Sequence, residues 1–312
     1  MAHNLCDVTV VINVYNGAST ISTAIESLLS QTLKPKRILV FDNCSTDDTH
    51  DVVMRFPSVD YFLASEHTSL GSARASAMNL VKTNWIAFLD ADDYWYPMKL
   101  EEQNPFLLPH VGVVYSSVEE HGPCGALLRT VTPSIPNGYQ VDSLLRRWEI
   151  SLVTAVINLS MLRHHYLTFD PHFRASEEQD LLLRLSCTAP FIALKNIHGV
   201  IVVSDKSLTN ASLGLLGAER RLTLSKLQSD YPHCFSASAF SSSFRQSIYY
   251  DSLGYMQCGE IAEARKALIS ILRPFSLRYL LLFFLSLSPP LWRSFHSRPF
   301  KSRITKLLDC LL

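Results

Sequence analysis

Within residues 7–110, short runs of β-branched residues alternate with stretches in which apolar residues return every three to four positions. Val8–Val14 is almost continuously apolar, the pattern of a strand buried on both faces. After the turn signal Asn16-Gly17, residues Ile21, Ile25, Leu28 and Leu29 fall on one face of a helix. Ile38–Phe41 reads as a second buried strand, and Ser45-Thr46-Asp47-Asp48 then offers helix-capping chemistry. Val59–Leu63 is a weaker third strand, Leu70, Ala73, Ala77, Leu80 and Val81 form another helical stripe, and Trp85–Leu89 is the next strand. Such alternation predicts an α/β fold of right-handed βαβ units, Rossmann-like, with a mostly parallel sheet between flanking helices.

The downstream sequence is more mixed. Val111–Val118 reads as a strand, Gly122–Gly138 as a Pro/Gly-rich loop or hairpin, Glu177–Cys187 as a helix and Gly199–Val203 as a further strand. From about Asn210 the character is helical. Gln257-Cys258-Gly259-Glu260 is a stop and restart before an amphipathic helix over Ile261–Leu272, similar to one tetratricopeptide hairpin but without a repeat at fixed period. The expected organisation is a domain over residues 1–208, with halves 1–110 and 111–208, and a helical C-terminal extension over 209–312.

Composition excludes several classes. With 47% hydrophobic residues in 312, the chain can bury a core, so general disorder is excluded. Zero net charge argues against a polycation that binds nucleic acid. Seven scattered cysteines without a CxxC pair fit neither a zinc ribbon nor a disulfide scaffold and suit a reducing, cytoplasmic setting. MAHNLCDVTVVINVYNG lacks the basic and apolar regions of a signal peptide. The apolar run Leu280–Leu287 is far short of the roughly 20 residues a spanning helix needs.

The expected strands end in polar groups: Asn13-Val14-Tyr15-Asn16, Asp42-Asn43, and Asp90-Ala91-Asp92-Asp93. In an open parallel sheet these ends share one rim, where ligands bind. Three carboxylates within four residues repel one another, and a divalent cation relieves that repulsion. Mg²⁺ or Mn²⁺ held by one or two carboxylates together with substrate phosphates fits the pattern. Each feature alone has an ordinary structural explanation: a solvated Asp-x-Asp loop, Asp42 as a turn cap, Tyr15 as an edge aromatic, or Arg74 as a surface charge.

Taken in order, VTVVINVYNGASTISTAIESLLSQT, ILVFDNCSTDDT, LGSARASAMN and NWIAFLDADDYWYPMKLEEQ resemble the nucleotide-sugar domain of glycosyltransferase family 2 and its GT-A fold. The likeness is close over residues 7–103 and looser through FRASEEQDLLLRL and VVSDKSLTN, about two thirds of the chain in all. It implies that Asn13, Tyr15, Asp42 and Asn43 hold the nucleoside of a sugar nucleotide and that Arg74 contacts the nucleotide. It further implies that Asp90 binds the ribose, that Ala91 belongs to the substrate-binding residues and that Asp92 binds the metal–diphosphate. The acidic pair Glu177-Glu178 before Asp180-Leu181 would supply the base, with either glutamate open as the working one. Departures from the common pattern are Asn43 for a second Asp, His67 and Ser69 before Arg74, Glu178 for Asp, and Ser204 in a stretch that often carries His.

The implied reaction is inverting transfer of a sugar from a nucleoside diphosphate to a hydroxyl of a glycan or lipid-linked acceptor. A surface polysaccharide, lipopolysaccharide or glycolipid would be the product. NVYNGAST has too few glycines for a nucleotidyltransferase phosphate loop, and no GxGxxG marks a dinucleotide enzyme. A non-catalytic protein that binds sugar nucleotides or a membrane partner is the alternative. From Ile261 onward nine Lys/Arg stand against Glu263 and Asp309, a net charge of +7. Residues 274–312 combine most of this charge with leucines and aromatics, so they are expected either to contact an anionic membrane peripherally or to pack on the protein itself. Tyr279 and Trp292 are suited to headgroup depth.

Overall fold

The computed structural model describes residues 5–203, 213–272 and 277–296. Ser204, Ser207 and most of the VVSDKSLTN stretch, together with residues 273–276 and 297–312 of the basic tail, lie outside the described residues.

The expected alternation is present. β1 (Cys6–Val14), α1 (Ile21–Leu29), β2 (Pro35–Asp42), α2 (Thr49–Val53), β3 (Asp60–Leu63), α3 (Leu70–Asn79) and β4 (Trp85–Asp90) follow in order. β1 pairs in parallel with both β2 and β4, and β2 with β3. Val8, Val10, Val11 and Ile12 are fully buried, as a strand covered on both faces requires. Ile21, Ala24, Ile25 and Leu28 bury one face of α1 in the same core.

Beyond β4 the sheet becomes mixed. β5 (Tyr94–Trp95), α4 (Lys99–Gln103), β6 (Val113–His121), β7 (Leu127–Val131), α5 (Val141–Arg146), β8 (Val156–Asn158), α6 (Leu159–His164), α7 (Glu177–Ser186) and β9 (Phe191–Val202) complete it. The strand order is β3-β2-β1-β4-β8-β6-β9-β5, with β7 paired to β6. β8 runs antiparallel to both β4 and β6. Two such reversals restore the direction, so β6 and β9 end at the same rim as β1 and β4. The stretch Gly122–Gly138 carries the β6–β7 hairpin. β9 is longer than the expected Gly199–Val203. Its middle, Ala193–His198, is too polar to read as a strand, and it pairs with β6 through two register shifts.

The described residues divide into two units by their contacts: residues 5–203 with 231–235, and the helical remainder. The helical unit contains α8 (Leu213–Asp230), α9 (Ala237–Cys258), α10 (Ile261–Ser270), α11 (Leu277–Ser286) and α12 (Pro289–His296). A Cβ on Gly217 would lie 2.5 Å from the Ser247 carbonyl oxygen, so α8 and α9 cross at glycine distance. Gly259, at φ +82°, ends α9 where the stop signal stands. Tyr279 and Trp292 are buried in a cluster with Leu268, Ile271 and Leu282. This corrects the expectation that they sit at headgroup depth: their large apolar surfaces close the core of the helical unit.

Candidate active site

Parallel pairing places the polar strand ends side by side. Asn13 is in register with Phe41 on β2 and with Asp90 on β4, and Val14 with Asp42. The rim turns leave the strands through left-handed residues, Asn16 at φ 55° and Cys44 at φ 66°. Such non-glycine conformations carry strain and cluster at functional edges. Asn16 is held there by accepting the Thr46 amide at 2.7 Å, while its own N–H donates to the Ser45 hydroxyl at 2.8 Å.

Asp42 is buried. Its Oδ1 accepts the Ser45 N–H at 2.7 Å, and its Oδ2 accepts the Tyr61 hydroxyl at 2.7 Å. Burial and the Asp42 carboxylate together push the Tyr61 hydroxyl well above the usual phenol range. Asn43 faces Thr68: its amide nitrogen donates to the Thr68 carbonyl at 2.8 Å, and its Oδ1 accepts the Thr68 N–H at 3.0 Å. The Asn43 side chain therefore ties the end of β2 to the segment before α3. In that segment His67 Nδ1 lies 2.9 Å from the Asn43 carbonyl oxygen, and its ring meets Tyr15 at 4.2 Å between centroids. Tyr15 is half exposed, so the Tyr15–His67 pair forms an aromatic lip beside Asp42. His67 was visible in the sequence only as a departure from a family pattern. Nothing in its spacing announced the ring contact.

The second part of the site is an ion-pair bridge. Arg74, in α3 and almost wholly buried, donates from Nη2 to Asp90 Oδ1 at 2.8 Å and from Nη1 to Glu177 Oε1 at 2.7 Å. Burial disfavours its charge, but Asp90, Glu177 and Glu178 outweigh that and hold the guanidinium above its ordinary value. Gly71 allows this approach, because a Cβ there would come within 3.2 Å of the Asp170 carbonyl oxygen and 3.4 Å of Glu177 Cβ. Asn13 Nδ2 and Oδ1 and Arg74 Nε are buried without a hydrogen-bond partner among the described residues. Unsatisfied buried polar atoms beside a carboxylate rim mark the place where a ligand or water completes the bonding.

Glu177 and Glu178 open α7, where the helix dipole favours acidic side chains. They differ in environment. Glu177 is buried against Arg74, whereas Glu178 is only partly buried. Burial first, and then the charge of Glu177, push Glu178 up to about 7 although Arg74 acts against the rise. A carboxyl group that exchanges its proton near neutrality is suited to general-base work.

The third part is the acidic turn. Asp90 is bound by Arg74, and Ala91 lies in the turn beside Gly17. Asp92 is exposed; loss of surrounding water and then the charge of Asp90 raise its proton affinity. Asp93 is buried, accepts the Val202 N–H at 2.9 Å, and is pushed up to about 9 by burial and then by Asp90 and Asp92. Asp93 thus anchors the end of β9 to the turn, a role its adjacency to the Asp-x-Asp did not reveal. Of the carboxylates in this turn, only Asp92 is exposed, and its oxygens are of the hard type that a divalent cation takes. No cluster of three or more His, Cys, Asp or Glu that could hold a metal ion occurs among the described residues.

Residues 9–166 match the family model for glycosyl transferase family 2, and with it more than half of the chain. The chain belongs to that family. WfaP of Escherichia coli, a UDP-Glc:alpha-D-GlcNAc-diphosphoundecaprenol beta-1,3-glucosyltransferase, is 37% identical over 102 residues. That match spans 32% of this chain and only 41% of the relative. WfgD of Escherichia coli, described by the same activity, is 26% identical over 226 residues, 72% of this chain and 80% of its own. The solved structure of Staphylococcus aureus TarS 1–349 in complex with UDP-GlcNAc superposes with a TM-score of 0.65 at 16% identity, covering 95% of this chain and 91% of that one. Mannosyltransferase PcManGT from Pyrobaculum calidifontis, in complex with GDP-Man and Mn²⁺, gives a TM-score of 0.56 at 17% identity, covering 97% and 87%. At these identities the structures establish the α/β GT-A fold shared with this family member.

Proposed function

We propose that this family member is an inverting glycosyltransferase that moves a sugar from a nucleoside diphosphate to a hydroxyl of a lipid-linked or glycan acceptor in surface polysaccharide synthesis. The observation that carries the reading is the Asp90–Arg74–Glu177 bridge. Through one buried guanidinium it joins the strand rim to the acidic pair of α7. The acceptor class rests on the relatives, two of which are named for transfer to a diphosphoundecaprenol-linked sugar and a third, TuaG of Bacillus subtilis, for putative teichuronic acid biosynthesis.

In this reading Tyr15, with His67 beside it, takes the base, and Asn13 and Asp42 supply polar contacts to the nucleoside. Asn43 supports the lip instead of reading the base, since its amide is engaged with Thr68. Asp92 is the residue that would hold Mg²⁺ or Mn²⁺, with Asp90 and Ala91 beside it in the turn. A bound cation there would neutralise charge developing on the leaving group. Glu178 removes the proton from the acceptor hydroxyl as that oxygen attacks the anomeric carbon opposite the diphosphate. Glu177 keeps α7 in place through Arg74 and raises the proton affinity of its neighbour.

The test is donor binding and turnover measured together. UDP-, dTDP- and GDP-sugars are screened with and without Mn²⁺ by thermal shift, then by transfer to a diphosphate-lipid acceptor. A rise in unfolding temperature that needs both sugar nucleotide and Mn²⁺, and disappears in Asp92→Asn, is expected. Metal-independent stabilisation that survives Asp92→Asn would remove the role given to that residue.

A further inference from the structure

Helices α11 and α12 carry an apolar face that the packing of the helical unit does not use. Tyr279, Leu282 and Ser286 of α11 are buried, on the side that joins Leu268, Ile271 and Trp292. On the other side Leu281 and Phe284 are 41% and 56% exposed, followed by Leu287 and Leu291 at 51% and 58%. From Leu280 to Leu285 the sequence is LLLFFL, without one polar side chain. A helix on a wetted surface normally turns a polar face outward. A lone exposed leucine needs no explanation, but apolar side chains exposed on successive turns mark an interaction surface.

Charge identifies the partner. In the sequence, the segment from Ile261 onward carries a net charge of +7. A second copy of the chain would bring the same excess against itself, so self-association on this face is opposed by repulsion. A bilayer with anionic headgroups offers both complements: acyl chains for the leucines and negative charge for the flanks. The ten residues of α11 extend about 15 Å, half of a hydrocarbon core, so the helix can lie in the interface and cannot cross it. Among the described residues no helix is long and apolar enough to span a membrane.

We propose that residues 277–296 dock the chain on an anionic membrane surface, inserting Leu281, Phe284, Leu287 and Leu291 at the headgroup boundary. This docking is independent of the transferase reading, because it requires neither donor nor turnover. The experiment is flotation of the full chain with phosphatidylcholine vesicles containing about one third phosphatidylglycerol. Wild type is expected to float at low salt, with binding about tenfold weaker on pure phosphatidylcholine or in about 0.5 M NaCl. Leu281→Glu/Phe284→Glu, and separately Leu291→Glu, should each weaken binding about tenfold or more while circular dichroism and unfolding temperature stay unchanged, since all three side chains are exposed. Failure of wild type to float at low salt would overturn the proposal. So would binding indifferent to both variants, or a dimer abolished by them in a chain that ignores vesicles.

Discussion

Glu177 and Glu178 are adjacent and chemically identical, yet their surroundings give them opposite assignments. Arg74 engages Glu177 in an ion pair buried on both sides, and removing one partner of such a pair costs about 3–5 kcal/mol. Glu177→Gln and Arg74→Lys should therefore lower the denaturation midpoint as well as activity. Glu178→Gln should do something different. The folded chain holds the Glu178 proton up to about pH 7, against an ordinary 4.5. That contribution to stability is fully present below about pH 4.5 and is lost as pH rises through about 7. The variant should hence be more stable than wild type at pH 8, by at most about 3 kcal/mol in chemical denaturation, and show no gain at pH 4.5. Turnover should fall about 10²–10⁴-fold in the same protein. In the wild type, turnover should rise as pH increases through about 7, where Glu178 loses its proton between Glu177, Arg74 and Asp90. Turnover retained by Glu178→Gln but abolished by a folded Glu177→Gln would reverse the assignment.

Secondary-structure elements are held in register by a few polar or small side chains. Asp93 pins the end of β9 to the acidic turn through the Val202 N–H. Asp93→Ala leaves that half-buried donor without its acceptor and should cost about 1–3 kcal/mol in chemical denaturation, whereas Asp93→Asn keeps an acceptor oxygen and should cost much less. In the helical unit, Gly217→Ala forces a Cβ to within 2.5 Å of the Ser247 carbonyl oxygen, so α8 and α9 must separate. A loss of about 1–3 kcal/mol is expected. Gly214→Ala meets nothing within 4 Å and should instead stabilise α8 by up to about 1 kcal/mol, measured by the same thermal melts. Gly71 belongs to the same group. Its missing side chain lets α3 approach residues 170–177 and deliver Arg74 to Glu177.

Across the molecule, the order of the strands determines which distant residues become neighbours. β1 lies between β2 and β4, so the polar ends read separately along the first 93 residues converge on one rim. β8 enters between β4 and β6, and β9 returns beside β6 to meet β5. These crossings are carried by stretches with weak local signatures: three residues in β8 and two in β5. Such short strands are stabilised by their partners in the sheet and leave little periodicity to read. The helical unit is partly the reverse case. Its helices were legible from composition, but which aromatic residues they bury was not, and Tyr279 and Trp292 went inward while Leu281 and Phe284 stayed outside.

Hydrophobic periodicity and strand-end chemistry are local, carried by residues within ten or so positions of one another. From them alone followed the α/β class, the first seven elements and the membership of Asp42, Asp90 and Asp92 in a polar rim. The meeting of Arg74 with Glu177 spans 103 positions of sequence, and its partners depend on helix packing and loop closure that no local pattern encodes. The same holds for Glu178: its proton affinity is raised by burial and by the charge of Glu177 against the pull of Arg74, surroundings that exist only once the chain has folded around it.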